Sequence, residues 1–308
     1  FGQVVVSAGG RLAQPTNLYP ADDPRSAALA AQNALNRLII DDALQSQNPD
    51  PIVFGRGGEP LSAQNTLRGG DTVTGAVGVL TYTWGGNQAS PNAYRLRPVG
   101  ALGGSARFEA ANPRPGGPPS VGAAKVRVAS ANLLNFFNTF GNACTLGVSG
   151  AAAECRGASD STEYQRQLAK EVAALTSLDA DVIGLMELEN DGYGPSSAIA
   201  ALVDALNAAQ GAGSWAFVDV DAATGTVNAA GTDAIKVGLL YRPGALTPVA
   251  GTTRVEPTAE LFERRPVAQT FETPDGARFS VVVNHFKSKG SCPQTGADAD
   301  QGDGQSCW

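Results

Sequence analysis

Histidine is nearly missing from this chain: His285 is the sole one in 308 residues. Cysteine is scarce too, four residues in two local pairs, Cys144/Cys155 and Cys292/Cys307. Neither pair has metal-ligand spacing, and there is only one histidine, so a zinc site is not expected. Each pair lies in a loop rich in glycine, alanine, serine and aspartate. That placement predicts two local disulfides and an oxidising compartment, extracellular or periplasmic. On chain-entropy grounds each would stabilise by roughly 3 kcal/mol. No apolar run is long enough to cross a bilayer, so no membrane segment is expected. Excess positive charge is also lacking. The net charge is −7, and residues 123–308 hold thirteen Lys and Arg against twenty-one Asp and Glu. A chain that holds nucleic acid by charge alone would be basic. An acidic catalytic half that handles phosphates calls for a divalent cation to invert the local field. No Gly-x-Gly-x-x-Gly follows a strand, which leaves a dinucleotide site without support. Nothing in the composition speaks to oligomeric state.

What is present divides the chain. Residues 1–100 show short strands (3–7, 38–40, 72–84 and 93–98), one helix after Asp23-Pro24, and glycine kinks at Gly75 and Gly78. This pattern predicts a small curved all-β barrel. Asn65-Thr66-Leu67-Arg68, the Gly75/Gly78 kinks and Tyr94-Arg95-Leu96-Arg97-Pro98 make the region similar to the OB-fold-like domain that precedes secreted bacterial nuclease domains. The resemblance implies a nucleic-acid-binding face, for which Tyr82, Trp84, Tyr94, Arg95 and Arg97 supply stacking and basic groups. Residues 101–122 are rich in Gly, Pro and Ala and read as an extended linker.

Residues 123–308 alternate strands and helices. Asp160 with Glu163 three residues on is a capping-box signal, and Tyr164, Leu168, Val172 and Leu175 recur at helical spacing behind it. Val182 to Met186 is a buried strand ending on Glu187, and a second helix carries Ile199, Leu202, Val203 and Leu206. Strands at 215–220, 234–241, 267–273 and 278–285 follow, the last two joined by the turn Thr273-Pro274-Asp275-Gly276. Early helices followed by a run of strands predict a layered α/β sandwich.

Three strands end on chemistry: Lys125 to Ser130 near Asn132, the next on Glu187, and the last on Asn284-His285 with Lys287 and Lys289 just beyond. An amide oxygen and a carboxylate are hard ligands suited to Mg2+, or to Ca2+ or Mn2+. An imidazole beside two ammonium groups suits a phosphate. Ala129 to Leu133, Asp181 to Glu187, Asp233 to Pro243, Arg264-Arg265-Pro266 and Asn284-His285 stand in the order of the endonuclease/exonuclease/phosphatase superfamily. Met186 to Asn190, Gly231 to Lys236 and Asn284 to Gly290 look like its large extracellular bacterial nucleases.

The resemblance implies a four-layer α/β sandwich of the DNase I-like type and a divalent-metal-dependent phosphodiesterase acting on DNA or RNA. It implies Asn132 and Glu187 on the metal side, His285 with Asn284 at the phosphate, Asp233 orienting that histidine, and Arg264, with Arg265 as its rival, near the phosphate. The family's Gly-Asp-x-Asn and terminal Asp-His motifs do not occur in these 308 residues. The sandwich is therefore expected to be incomplete at its C-terminal side, and the fragment inactive. Two other readings share the motifs: a lipid-head-group phosphodiesterase of the same fold, and a non-catalytic nucleic-acid-binding protein.

Overall fold

In the computed structural model, strand and helix follow the apolar periods of the chain. The structure describes residues 2–286, apart from 43, 46–48, 50, 63, 86–90, 114–115, 259–261 and 263, together with residue 295. The chain divides into two compact units, one holding Phe1–Pro115 and the other Gly116–Ser288.

In the first unit, β1 (Gln3–Val6) pairs antiparallel with β2 (Leu38–Asp41). Helix α1 (Pro24–Leu35) joins them; its N-cap Asp23 accepts from Arg25 N at 2.8 Å and proline takes the first turn. Of the long strand expected over 72–84, β3 (Thr72–Val73) and β4 (Gly78–Thr83) form, split at the two glycines. Gly78 is obligatory, since a Cβ there would lie 2.1 Å from the carbonyl oxygen of Arg97. Strand β5 (Ala93–Pro98) lies antiparallel to β4 and parallel to β2, giving the order β1-β2-β5-β4. Strand β6 (Phe108–Glu109) pairs with β3 in a separate ribbon. These sheets are open. Among the described residues the expected barrel does not close, because β3 and β6 pair with each other and leave β4 as an edge. The linker expected over 101–122 is also shorter than expected. Ala106 and Phe108 pack with Ile40 and Phe54 in the first unit's core, so that stretch belongs to the fold up to β6.

Arg95 and Arg97, expected on a nucleic-acid face, turn the other way. Arg95 is 2% exposed, and both guanidiniums reach Asp41 Oδ2, at 3.5 and 3.4 Å. Burial pushes the Asp41 carboxyl up against the pull of these two cations. Tyr82, Trp84 and Tyr94 do lie on the solvent face, 60%, 40% and 59% exposed, with the rings of Tyr82 and Tyr94 paired across β4 and β5 at 5.0 Å.

The second unit is layered. Strands β7 (Val128–Phe136), β8 (Val182–Glu189), β9 (Ala216–Phe217) and β10 (Ile235–Tyr241) form a sheet in the order β7-β8-β10-β9, with β7 parallel to β8. Helices α2 (Ser161–Ser177) and α3 (Ala198–Gln210) cover one face through Tyr164, Leu175, Ile199, Leu202 and Leu206. As the capping signal requires, Asp160 accepts from Thr162 N and Glu163 N at the start of α2. The strand expected over 215–220 is shorter and runs into a one-turn helix, α4 (Val220–Thr224), because Asp219 caps it by accepting from Ala222 N.

On the other face lies a second sheet of β11 (Thr247–Pro248), β12 (Arg254–Val255), β13 (Val267–Glu272) and β14 (Arg278–Val283). Val182, Val237 and Leu239 of the first sheet meet Val267, Phe271 and Val283 of the second. The sheets approach closely at Gly184, where a Cβ would sit 2.8 Å from Val283 Cγ2. Helix, sheet and sheet are thus three packed layers.

One carboxylate knits the first unit together. Asp71 accepts from Arg56 Nε and Nη2 at 2.8 and 3.0 Å, and from the backbone of Arg68, Ala111 and Asn112. The Arg56 fork and these amides hold its carboxyl well below the usual carboxylate range. A depressed carboxylate contributes stability above its unfolded value of 3.8, which is lost as pH falls below it. Asp71→Asn should cost about 2 kcal/mol, read as roughly 30-fold faster hydrogen exchange at the β3 and β6 amides at neutral pH. Wild type and variant should converge as the pH drops below 4. Exchange rates that match at pH 7 would refute the assignment.

Candidate active site

The site is built where β7 and β8 both leave regular geometry. On β8, Leu185 faces Gly238 and Leu188 faces Lys236, so β8 carries one extra residue there. Glu187 sits in this bulge at φ 60°. A left-handed backbone at a non-glycine residue is costly, about 1–3 kcal/mol, and tends to collect at functional positions. Beside it, Asn132 pairs with Met186 and Phe136 with Leu188, so β7 bulges at the same level, with Leu134 and Asn135 at φ 52° and 54°. Gln167 of α2 holds this second bulge by donating from Nε2 to the carbonyls of Leu133 and Leu134, at 3.0 and 3.2 Å. Gln167 belongs to no motif in the sequence; its half-buried position on an amphipathic helix is the signal that marks it.

The double bulge turns the Glu187 carboxylate toward the strand ends. Its Oε2 accepts from Asn135 N at 3.1 Å and its Oε1 from Asn132 Nδ2 at 2.8 Å. Asn132 Oδ1 is turned back to accept from Leu134 N at 2.9 Å. Asn132 therefore aims Glu187 as a donor, and its oxygen, expected on the metal side, accepts one hydrogen bond and keeps a second lone pair. His285 follows β14, and its Nε2 lies 3.6 Å from Glu187 Oε1. The close packing of Val283 on Gly184 sets that approach, since each chemical residue lies two or three positions beyond the contact. Asn284 points to solvent. Lys287 and Lys289 lie outside the described residues, as do Cys292 and Cys307.

Asp233 is reached by a different route from the one expected. Its Oδ2 accepts from Arg264 Nη1 at 2.9 Å, and its Oδ1 from Arg156 Nη2 at 3.2 Å and from Ala234 N at 2.7 Å. No hydrogen bond joins it to His285, whose buried Nδ1 has no hydrogen-bond partner among the described residues. Asp233 acts on the imidazole only as a nearby charge. The loop that carries it is fixed from β8: the Asn190 side chain donates to the carbonyls of Gly231 and Asp233, at 2.8 and 3.0 Å. Arg265 contributes its backbone, N to Ala230 O at 2.9 Å. Arg156 was not anticipated. It follows Cys155, which is bonded to Cys144, and the disulfide packs on Phe137, Ala234 and Ile235.

No family model matches this chain, and no curated protein matches it. What the chain does is therefore to be sought in the chemistry of the site itself. Among the described residues no group of three or more His, Cys, Asp or Glu is arranged to hold a metal ion. Glu187 remains a fitting single anchor for a hydrated hard dication. Two protein donors occupy only part of a carboxylate's lone-pair capacity, and Mg2+ commonly keeps several waters while using one or two carboxylates.

Burial, and then the Arg264 charge, lower the His285 pKa from its usual 6.5, while Glu187 and Asp233 pull it up. The imidazole is thus neutral at pH 7. Because the folded state binds this proton less readily than the unfolded state, the contribution to stability falls as pH drops through 6.5. A single histidine makes the test direct, for its ring resonance in this 308-residue chain is unique. In metal-free buffer its NMR titration should give a pKa below 6.5, raised by Arg264→Ala and lowered by Glu187→Gln. Shifts of the opposite sign would overturn the electrostatic arrangement.

Proposed function

We propose that this chain belongs to a secreted, divalent-metal-dependent phosphodiesterase that hydrolyses nucleic acid, DNA or RNA, with a catalytic unit of the DNase I-like kind. The observation that carries the reading is Glu187: a carboxylate in a left-handed bulge, aimed by Asn132 and Asn135 and facing the only histidine. The three layers of the second unit are consistent with part of a four-layer sandwich, and the ordered motifs support the same family. The exposed Tyr82, Trp84 and Tyr94 of the first unit offer stacking surface for unpaired bases. The Cys144–Cys155 disulfide supports an oxidising compartment.

Glu187 would hold Mg2+, or Ca2+ or Mn2+, and the ion would neutralise charge that builds on the phosphate. His285, neutral at pH 7, is placed to donate a hydrogen bond through Nε2 or to carry a proton. Arg264 and Asp233 set the potential around it.

The assay is Mg2+-dependent cleavage of DNA and RNA by the natural full-length protein, with Mg2+ affinity measured by calorimetry. Glu187→Gln should abolish both cleavage and ion binding, because the near-isosteric amide lacks the charge that holds a hard cation. His285→Ala should lower the cleavage rate by about 10²–10⁴-fold, the usual cost of losing an acid–base partner. It should leave ion affinity in place. Full activity in Glu187→Gln would sink the reading.

A further inference from the structure

Resting on that reading, we infer that Arg156 forms a second phosphate subsite beside the scissile position, which makes the substrate a polynucleotide instead of an isolated phosphodiester. Arg156 approaches the site from the solvent side. Its side chain is 42% exposed, whereas the Asp233 carboxylate it touches is 11% exposed. Through Nη2 it makes its one hydrogen bond among the described residues, the 3.2 Å contact with Asp233 Oδ1. A guanidinium carries five N–H donors in a rigid fork that matches phosphate oxygens, so most donors of this part-exposed fork make no hydrogen bond among the described residues.

The position is held firmly. The Cys144–Cys155 disulfide closes the loop immediately before Arg156, and Cys144 is buried against Phe137, Ala234 and Ile235. Asp233 fixes the free end of the side chain without burying it. An arginine tethered at its root by a disulfide and at its tip by a carboxylate loses little further freedom when it takes up an anion. Its setting is otherwise unfavourable for an anionic polymer, since the chain carries a net charge of −7. One exposed, pre-positioned cation beside the Asp233–Arg264 pair supplies a local attraction for the neighbouring phosphate. A substrate with one phosphate would have nothing to place there.

The test uses the natural full-length protein with Arg156→Gln and Arg156→Lys. Binding of a fluorescent single-stranded oligonucleotide is followed by anisotropy in EDTA across a salt series. Cleavage of the same oligonucleotide is compared with hydrolysis of bis(4-nitrophenyl) phosphate, which has a single phosphate. Arg156→Gln should weaken oligonucleotide binding by roughly tenfold and flatten the salt dependence by about 0.7, the contribution of one phosphate contact on a single strand. It should lower the oligonucleotide-to-ester ratio of kcat/KM by a similar factor, chiefly through KM, and Arg156→Lys should recover part of the loss. Equal losses on both substrates would show that Arg156 only steadies Asp233 and would overturn the subsite. Unchanged binding and salt slope would overturn it as well. Wild-type protein inactive on both substrates would refute the proposed hydrolysis, while the EDTA binding comparison would still decide the subsite.

Discussion

A carboxylate in the middle of a doubly covered sheet is the constraint on which the second unit depends. Strand β8 has apolar neighbours on both faces, with Leu185 and Leu188 against the helices and Val182 and Met186 against the second sheet. In regular strand geometry Glu187 would have to enter one of those layers, and an unpaired buried carboxylate is costly. The extra residue in β8 removes the conflict. Met186 and Leu188 keep their packing while Glu187 takes a left-handed conformation and swings out to the strand ends. The matching bulge in β7 supplies the Asn135 N–H that receives it, so the two distortions stabilise each other.

From this point the end of β8 organises its surroundings residue by residue. Glu189 accepts from the amides of Asn138 and Thr139 and fixes the loop after β7. Asn190 fixes the loop that bears Asp233. Close by, the fully buried Lys236 donates to the carbonyl of Gly192 and lies 3.9 Å from the centre of the Tyr193 ring, its pKa lowered to about 8 by burial. A buried ammonium survives here because the carbonyl, the ring face and the nearby Asp191 offset part of its desolvation. The loops that frame the candidate site are therefore anchored in buried polar contacts and do not rely on surface packing.

The first unit shows how alternate strand positions separate two kinds of residue. Along β5, Tyr94 faces solvent while Arg95 is drawn inward to Asp41. Two cations around one buried acid are a structural device, and they leave the exposed face of β4 and β5 aromatic without being basic. Any partner of that face would meet ring surface first, with charge contributing little.

The chain alone determined a good deal. Helical spacing and the Asp160 cap mark α2, apolar runs mark β8, β10 and β13, and Thr273 to Gly276 marks the hairpin before β14. Those signals are local, written in periods and caps within one element. Glu187 and His285 could also be singled out, because a charged or rare residue directly after an apolar strand is conspicuous. What the tertiary structure decided lies between elements. The left-handed turn at Glu187 follows from covering β8 on both faces, and the approach of His285 follows from a glycine on one sheet meeting a valine on the other. The inward turn of Arg95 needs Asp41 from another strand, and the meeting of Arg156 with Asp233 needs a disulfide loop to pack on β10. None of these partners is near in sequence, and the physical reason is common to all: each depends on which face of an element is covered, and by what.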